Sequence, residues 1–153
     1  MSEISNSLSG SMSDYLQQYD TQLWALYRQT LFEISPEFYI PSSGAVITAC
    51  NPEGHILSQG ANQQRMAELK QQLRERDLTY QSLVGMSPDQ QHQEPSLLIE
   101  CNRDQALKLC QQYRQNAYFW LSKGQLWLVP ALHPGPKVAM GSLRQRLVTS
   151  QLE

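Results

Sequence analysis

From Leu16 onward apolar residues recur at helical intervals (Leu16, Tyr19, Leu23, Leu26, Tyr27, Leu31), so one face of the chain repeats with the pitch of an α-helix. The spacing predicts a first amphipathic helix from near residue 14 to near residue 33. Ser35-Pro36 ends it, because the proline ring disfavours helical backbone at the residue before it. Phe38-Tyr39-Ile40 reads as a short extended piece, Pro41 to Gly44 as a turn, and Ala45 to Ala49 as a buried strand. A second helix is expected from about residue 59 to 76, with Ala61, Met66, Leu69 and Leu73 on one face and Ser58 as its N-cap.

Beyond it, residues 78 to 84 are expected as a strand, residues 85 to 94 as a glutamine-rich loop, and residues 96 to 100 as a further strand. Asn102, with Gln105 three positions on, resembles a capping box and opens a third helix that places Ala106, Leu109, Cys110 and Tyr113 together. Ala117 to Leu121 and Leu126 to Val129, separated by Ser122-Lys123-Gly124-Gln125, predict a β-hairpin. Three prolines between residues 130 and 136 stop regular structure, although Leu143 and Leu147 could dock a short helix. The expected fold class is α+β: a single compact domain with a mixed, largely antiparallel sheet of about five strands packed against two or three helices. The expected divisions are a disordered leader over residues 1–12, the domain over 13–130 and a Pro-containing peripheral tail over 131–153.

Composition narrows the function classes. A chain of 153 residues with 41% hydrophobic side chains supports one core. No apolar run reaches the roughly 20 residues that span a bilayer, and the start is polar and Ser-rich, so the expected setting is the cytoplasm without membrane attachment. A formal charge of −2 gives no field to collect polyanions, which disfavours nucleic acid as a partner. His55, His92 and His133 are far apart and no Cys-x-x-Cys occurs, so no metal site is expected, and no cofactor is indicated.

The segment Ile47-Thr48-Ala49-Cys50-Asn51-Pro52-Glu53-Gly54, followed by Asn62 and Leu69, then Glu94-Pro95-Ser96, then Gln115-Asn116-Ala117, resembles domain of unknown function 3293, an uncharacterised bacterial family. The resemblance spans roughly residues 30 to 130 and implies a compact single-domain bacterial protein, with no activity attached. At Cys50 the sequence departs from the larger or aromatic residue of many relatives, which puts a stacking role there in doubt.

Asn51, Pro52 and Gly54 are turn formers and are first explained by a tight strand-to-helix connection. A sharper reading adds the free N–H groups at the start of the second helix, which favour an anion, with Asn51, His55, Asn62 and Arg65 nearby. Glu94 is expected to anchor its loop, and partial burial would also make it the candidate general base. Gln115 and Asn116 are expected to satisfy backbone groups, or to read a ligand as neutral amides if they face the same crevice. The expected ligand site for a small polar or anionic molecule is thus Asn51, Gly54, Asn62, Arg65, Glu94, Ser96, Gln115 and Asn116. The alternative is a protein-protein interaction module without catalytic activity, motivated by the glutamine-rich helix surface.

Overall fold

The structure, a computed structural model, describes residues 24–150. The expected leader and the first part of the expected first helix lie outside the described residues. Residues 24–28 are helical, and the chain then enters eight strands: β1 (Leu31–Ile34), β2 (Ser43–Ile47), β3 (Tyr80–Met86), β4 (Gln93–Ile99), β5 (Ala117–Ser122), β6 (Gln125–Pro130), β7 (Val138–Ser142) and β8 (Leu147–Thr149). Helix α1 (Gln59–Glu75) lies between β2 and β3, and α2 (Arg103–Gln112) between β4 and β5. All eight strands form one sheet in the order β7-β6-β5-β2-β4-β3-β1-β8. Every pairing is antiparallel except that of β1 with β8.

The expectation of about five strands is therefore corrected to eight among the described residues. The additional strands are β1, taken from the sequence as the end of a helix, and β7 and β8, taken as a peripheral tail. Periodicity misleads at β1 because four residues are too few to separate a strand from a helical turn, and cross-strand pairing decides: Leu31, Phe32 and Glu33 pair with Met86, Gly85 and Val84. Strands β7 and β8 are the two edges, where half-exposed side chains leave little alternation to read.

The connectivity forces the sheet to curl. Four residues, Leu143 to Arg146, join β7 to β8, although these strands stand at opposite ends of the order. Such a link reaches about 17 Å at most, whereas eight strands laid flat would span roughly 34 Å. The edges meet only if the sheet bends into a strongly curled half-barrel. The inner face confirms it: Phe32 on β1 and Phe119 on β5, four strands apart, meet edge-to-face with ring centroids 5.2 Å apart. Val46, Leu98, Leu121, Leu126, Leu128 and Met140 fill the same interior, with Trp24 and Tyr27 packed against it. Arg146 ties the closure, donating from Nε and Nη2 to the Met140 carbonyl (3.2 and 3.0 Å) and from Nη1 to the carbonyls of Arg28 (2.6 Å) and Thr30 (3.1 Å).

The helices cover the outer face. Met66, Leu69 and Leu73 of α1 and Ala106, Leu109 and Cys110 of α2 pack on Ala45, Ile47, Leu97 and Ile99. Leu69 and Leu73 are fully buried, and each such side chain stabilises the fold by about 1.5–3 kcal/mol. Both helix starts agree with expectation: Ser58 Oγ accepts from Ala61 N at 3.1 Å, and Asn102 with Gln105 forms a complete capping box. The β5–β6 hairpin turns at Lys123 and Gly124, both with positive φ. Because α1 rests mainly over β2 and β4, its far flank leaves the outer face of β3 and β1 open beside it.

Candidate functional site

The turn after β2 is built by short polar side chains. Thr48 donates to the Pro95 carbonyl (2.7 Å) and accepts from Cys50 N (3.0 Å), which ends strand geometry. Asn51 then takes the left-handed region (φ 48°, ψ 64°), followed by Pro52, Glu53 (φ 54°) and Gly54 (φ 81°). Asparagine tolerates that region and glycine is at home in it, but glutamate is not. Glu53 is held there by Arg114: its N–H donates to the Arg114 carbonyl (2.7 Å) and its carboxylate accepts from Arg114 Nε (2.5 Å). That guanidinium also keeps the Glu53 carboxyl below its ordinary range.

Asn51 is the hub of the turn. Its Oδ1 accepts from Leu57 N and from Asn62 Nδ2, both at 2.9 Å, and its N–H donates to Asn62 Oδ1 at 2.9 Å. Its Nδ2 donates to Glu94 Oε2 at 3.1 Å. Asn51, Asn62 and Glu94, forty-three residues apart at the extremes, thus form one network. Burial raises the Glu94 carboxyl above its ordinary range, and the bond from Asn51 only partly opposes this. Its other oxygen, Oε1, makes no hydrogen bond among the described residues and is within reach of solvent.

This network stands at one end of a cleft of about 910 Å³ between α1 and the open part of the sheet. Asn62, Gln63, Met66, Ala67, Lys70 and Arg74 of α1 form one wall. Glu33 of β1, Ser82 and Val84 of β3 and Pro95 of β4 face it. Ser96 also lines the cleft, its hydroxyl donating to the Glu94 carbonyl at 3.1 Å.

Four of the expected site residues lie elsewhere. Arg65 turns behind the loop, donating to the carbonyls of Ala49 (Nε, 2.5 Å) and Tyr113 (Nη2, 2.6 Å). Gln115, buried, donates from Nε2 to the carbonyls of Cys50 (3.0 Å) and Tyr113 (3.1 Å). Asn116 is buried, and its carbonyl accepts from Ala131 N at 2.8 Å. Gly54 closes the 3₁₀ turn through Asn51 O (2.9 Å). None of the four lines the cleft. Arg65 and Gln115 fix the backbone that presents Asn51.

Glu33, Lys70 and Arg74 also line the cleft and were not among the expected residues. For the last two a signal existed: Gln59, Gln63, Lys70 and Arg74 recur at helical spacing on one flank of α1. Glu33 was hidden by the helical reading of β1.

Burial raises the Cys50 thiol, which leaves it short of thiolate at neutral pH. The Cys101 thiol is pushed up to about 11 by burial, and that of Cys110 is raised as well. All three cysteines are free. Among the described residues no group of three His, Cys, Asp or Glu side chains is placed to hold a metal, and no helix is long and apolar enough to cross a membrane.

No curated protein and no solved structure matches the chain significantly. A family model described as a protein of unknown function, DUF3293, matches residues 47–118. The matched span runs from the last residue of β2 to the second of β5 and contains α1, β3, β4 and α2. It holds the turn, the Asn51–Asn62–Glu94 network and the two side chains that brace it from behind. Over residues 47–118, a little under half of its length, the chain is similar to the DUF3293 family of proteins of unknown function.

Proposed function

We propose that this domain binds a small polar ligand in the cleft beside α1, with Asn51, Asn62, Glu94 and Ser96 at the recognising end. The observation that carries the reading is the convergence of two side-chain amides and a half-buried carboxyl on one end of an open cleft, with Glu94 Oε1 uncommitted. A volume of about 910 Å³ falls within the range of small-molecule sites. Glu94 accepts a hydrogen bond from a ligand N–H or O–H, and it is the group there that can take a proton. Asn51 and Asn62 hold each other in place, so the carboxyl is oriented before a ligand arrives. Arg65 and Gln115 serve the site by fixing the backbone of the turn, and Gly54 closes it. The three free cysteines suit the reducing cytoplasm of the bacterial setting that the family resemblance implies.

The interaction-module reading has weaker support. Among the described residues the exposed large apolar side chains are Leu26, Tyr39 and Ile56, on three separate segments, and apolar residues scattered singly are ordinary surface.

A thermal-shift screen against neutral sugars, nucleosides, amino acids, short peptides and phosphorylated metabolites tests the proposal. A ligand at a hundred times its Kd adds about 2.7 kcal/mol to apparent stability, a readily measured shift. The expected result is a hit whose shift is lost in Asn62→Ala and Glu94→Gln while circular dichroism stays native. No hit at millimolar concentration, or a hit that ignores both substitutions, overturns the reading.

A further inference from the structure

The cleft is electrically polarised along its length. Glu94 and Glu33 both line one end: Val84 pairs with Glu33 and the adjacent Gly85 with Glu94, which sets the two at nearly the same height along the strands; neighbouring rungs send side chains to opposite faces, and Glu94 meets the cleft beside Asn51, past the end of β2. Lys70 and Arg74 occupy the other end, on the second half of α1. Arg74 is located by its bonds to Tyr80 Oη (2.9 Å), at the start of β3, and to Gln71 Oε1 (3.0 Å). Lys70 and Glu33 are half-buried in the walls, and neither makes an ion pair or a side-chain hydrogen bond among the described residues.

Two rulers give the separation. From Asn62 to Lys70 is eight residues of helix, about 12 Å at 1.5 Å per residue. From the Val84 rung to the Tyr80 rung is four residues of strand, roughly 13 Å. A helical side chain points back toward the helix N-terminus, so Lys70 reaches toward the Asn62 end, and the span between charges shortens to about 10 Å. A half-buried charge without a partner is poorly compensated, and a ligand of opposite charge would compensate it.

Resting on the binding proposal above, the geometry points to an extended zwitterion as the ligand class: an ammonium end at Glu94 and Glu33, a carboxylate or phosphate end at Lys70 and Arg74. Three residues of extended peptide have the required length of about 10 Å. The narrow small-residue position Ala67, midway along the wall, leaves room for the ligand's middle.

The test is calorimetry on the full chain with three peptides of one length: trialanine, N-acetyl-trialanine and trialanine amide. 8-Aminooctanoate serves as a zwitterion of similar span without peptide groups. Trialanine or 8-aminooctanoate should bind, and either capped peptide should bind at least tenfold more weakly than trialanine. Lys70→Met should erase the penalty for the C-terminal amide, and Glu33→Gln with Glu94→Gln should erase the penalty for acetylation. Both sets of substitutions sit at the cleft wall, and native circular dichroism checks their folding. Equal binding of capped and uncapped peptides overturns the zwitterion inference. So does a hit elsewhere in the broader screen that depends on Asn62 but not on Lys70 or Glu33, and that result leaves the binding proposal standing. Absence of any ligand removes both.

Discussion

Asn51 and Asn62 are joined twice, backbone N–H to side-chain oxygen and side-chain N–H to side-chain oxygen, each at 2.9 Å. The pair fixes the left-handed turn to the first turns of α1 and aims the side-chain Nδ2 of Asn51 at Glu94 Oε2. Replacing Asn62 by alanine leaves the Asn51 N–H and one lone pair of its Oδ1 without their partners. Such losses typically cost about 1–3 kcal/mol. Urea unfolding of Asn62→Ala should show that loss, and Asn51→Gly should lose a similar amount even though glycine accepts the backbone angles. Unchanged midpoints would mean that water replaces the network at no cost.

Arg65 carries a separate load. It satisfies the Ala49 and Tyr113 carbonyls with one planar group, and its guanidinium stands 5.8 Å from the Tyr113 ring centroid. Arg65→Met keeps most of the stem but abandons both carbonyls, and bonds from a charged donor are worth about 1.5–3 kcal/mol each. A total of about 2–4 kcal/mol is expected from chemical denaturation, because the two losses share one loop and do not add fully. Arg65→Lys should recover less than half, since a single ammonium does not reproduce the fork.

Glu94 sets a pH dependence. Its carboxyl is raised in the folded protein by burial, so the folded state binds the proton more tightly than the unfolded chain does. The stability this gives is complete below the unfolded carboxyl pKa of about 4.3 and is lost as pH rises through the elevated folded value. Glu94→Gln removes the titration while retaining an acceptor for Asn51. Relative to the parent protein, the variant should gain stability as pH is raised from 4 to 7. Parallel stability curves for the two proteins across that range would contradict the assignment.

Two glycines give opposite outcomes. At Gly44 an added Cβ would stand 2.7 Å from the Ile99 carbonyl oxygen, a backbone atom that cannot swing away. Gly44→Ala should therefore destabilise by about 1–3 kcal/mol, the usual cost of overpacking. At Gly60, near the start of α1, a Cβ meets nothing within 4 Å. Gly60→Ala should stabilise by about 0.4–1 kcal/mol by narrowing the unfolded ensemble. Thermal melts of the two variants, one lowered and one raised, check both.

Arg146 donates four hydrogen bonds to three carbonyls on two segments, Met140 of β7 and Arg28 with Thr30 ahead of β1, and desolvation lowers its guanidinium pKa. Arg146→Ala should destabilise by about 2–4 kcal/mol, the scale of losing a half-buried set of hydrogen bonds from a charged donor. Hydrogen exchange should show β7 and β8 losing protection first. Uniform loss over all strands would show instead that the sheet opens as one unit.

The legible parts of this fold were those with strong local chemistry. Ser58, Asn102 with Gln105, and the Lys123–Gly124 turn each satisfy backbone groups within a few residues, so sequence alone locates α1, α2 and the β5–β6 hairpin. Long-range pairing left no local mark. Leu31 to Ile34 becomes a strand because β3 and β8 flank it, from about fifty and one hundred and fifteen residues away. The site divided in the same way. Asn51, Asn62 and Glu94 were recognisable as polar residues in unusual positions, and they converge. Arg65, Gln115 and Asn116 were equally conspicuous but are spent on backbone carbonyls and packing, a distinction only the three-dimensional arrangement makes.

The short link between the two edge strands also orders events in time. Phe32 pairs with Leu147, so the half-barrel cannot be clasped until residues 138–149 have followed the other six strands out of the ribosome. At roughly 5–20 residues per second, the nascent sheet spends seconds with β6 and β1 as open edges flanking an apolar interior. The final dozen residues of the sheet thus act as a latch, and the vulnerable period in the life of this protein is the interval before it shuts.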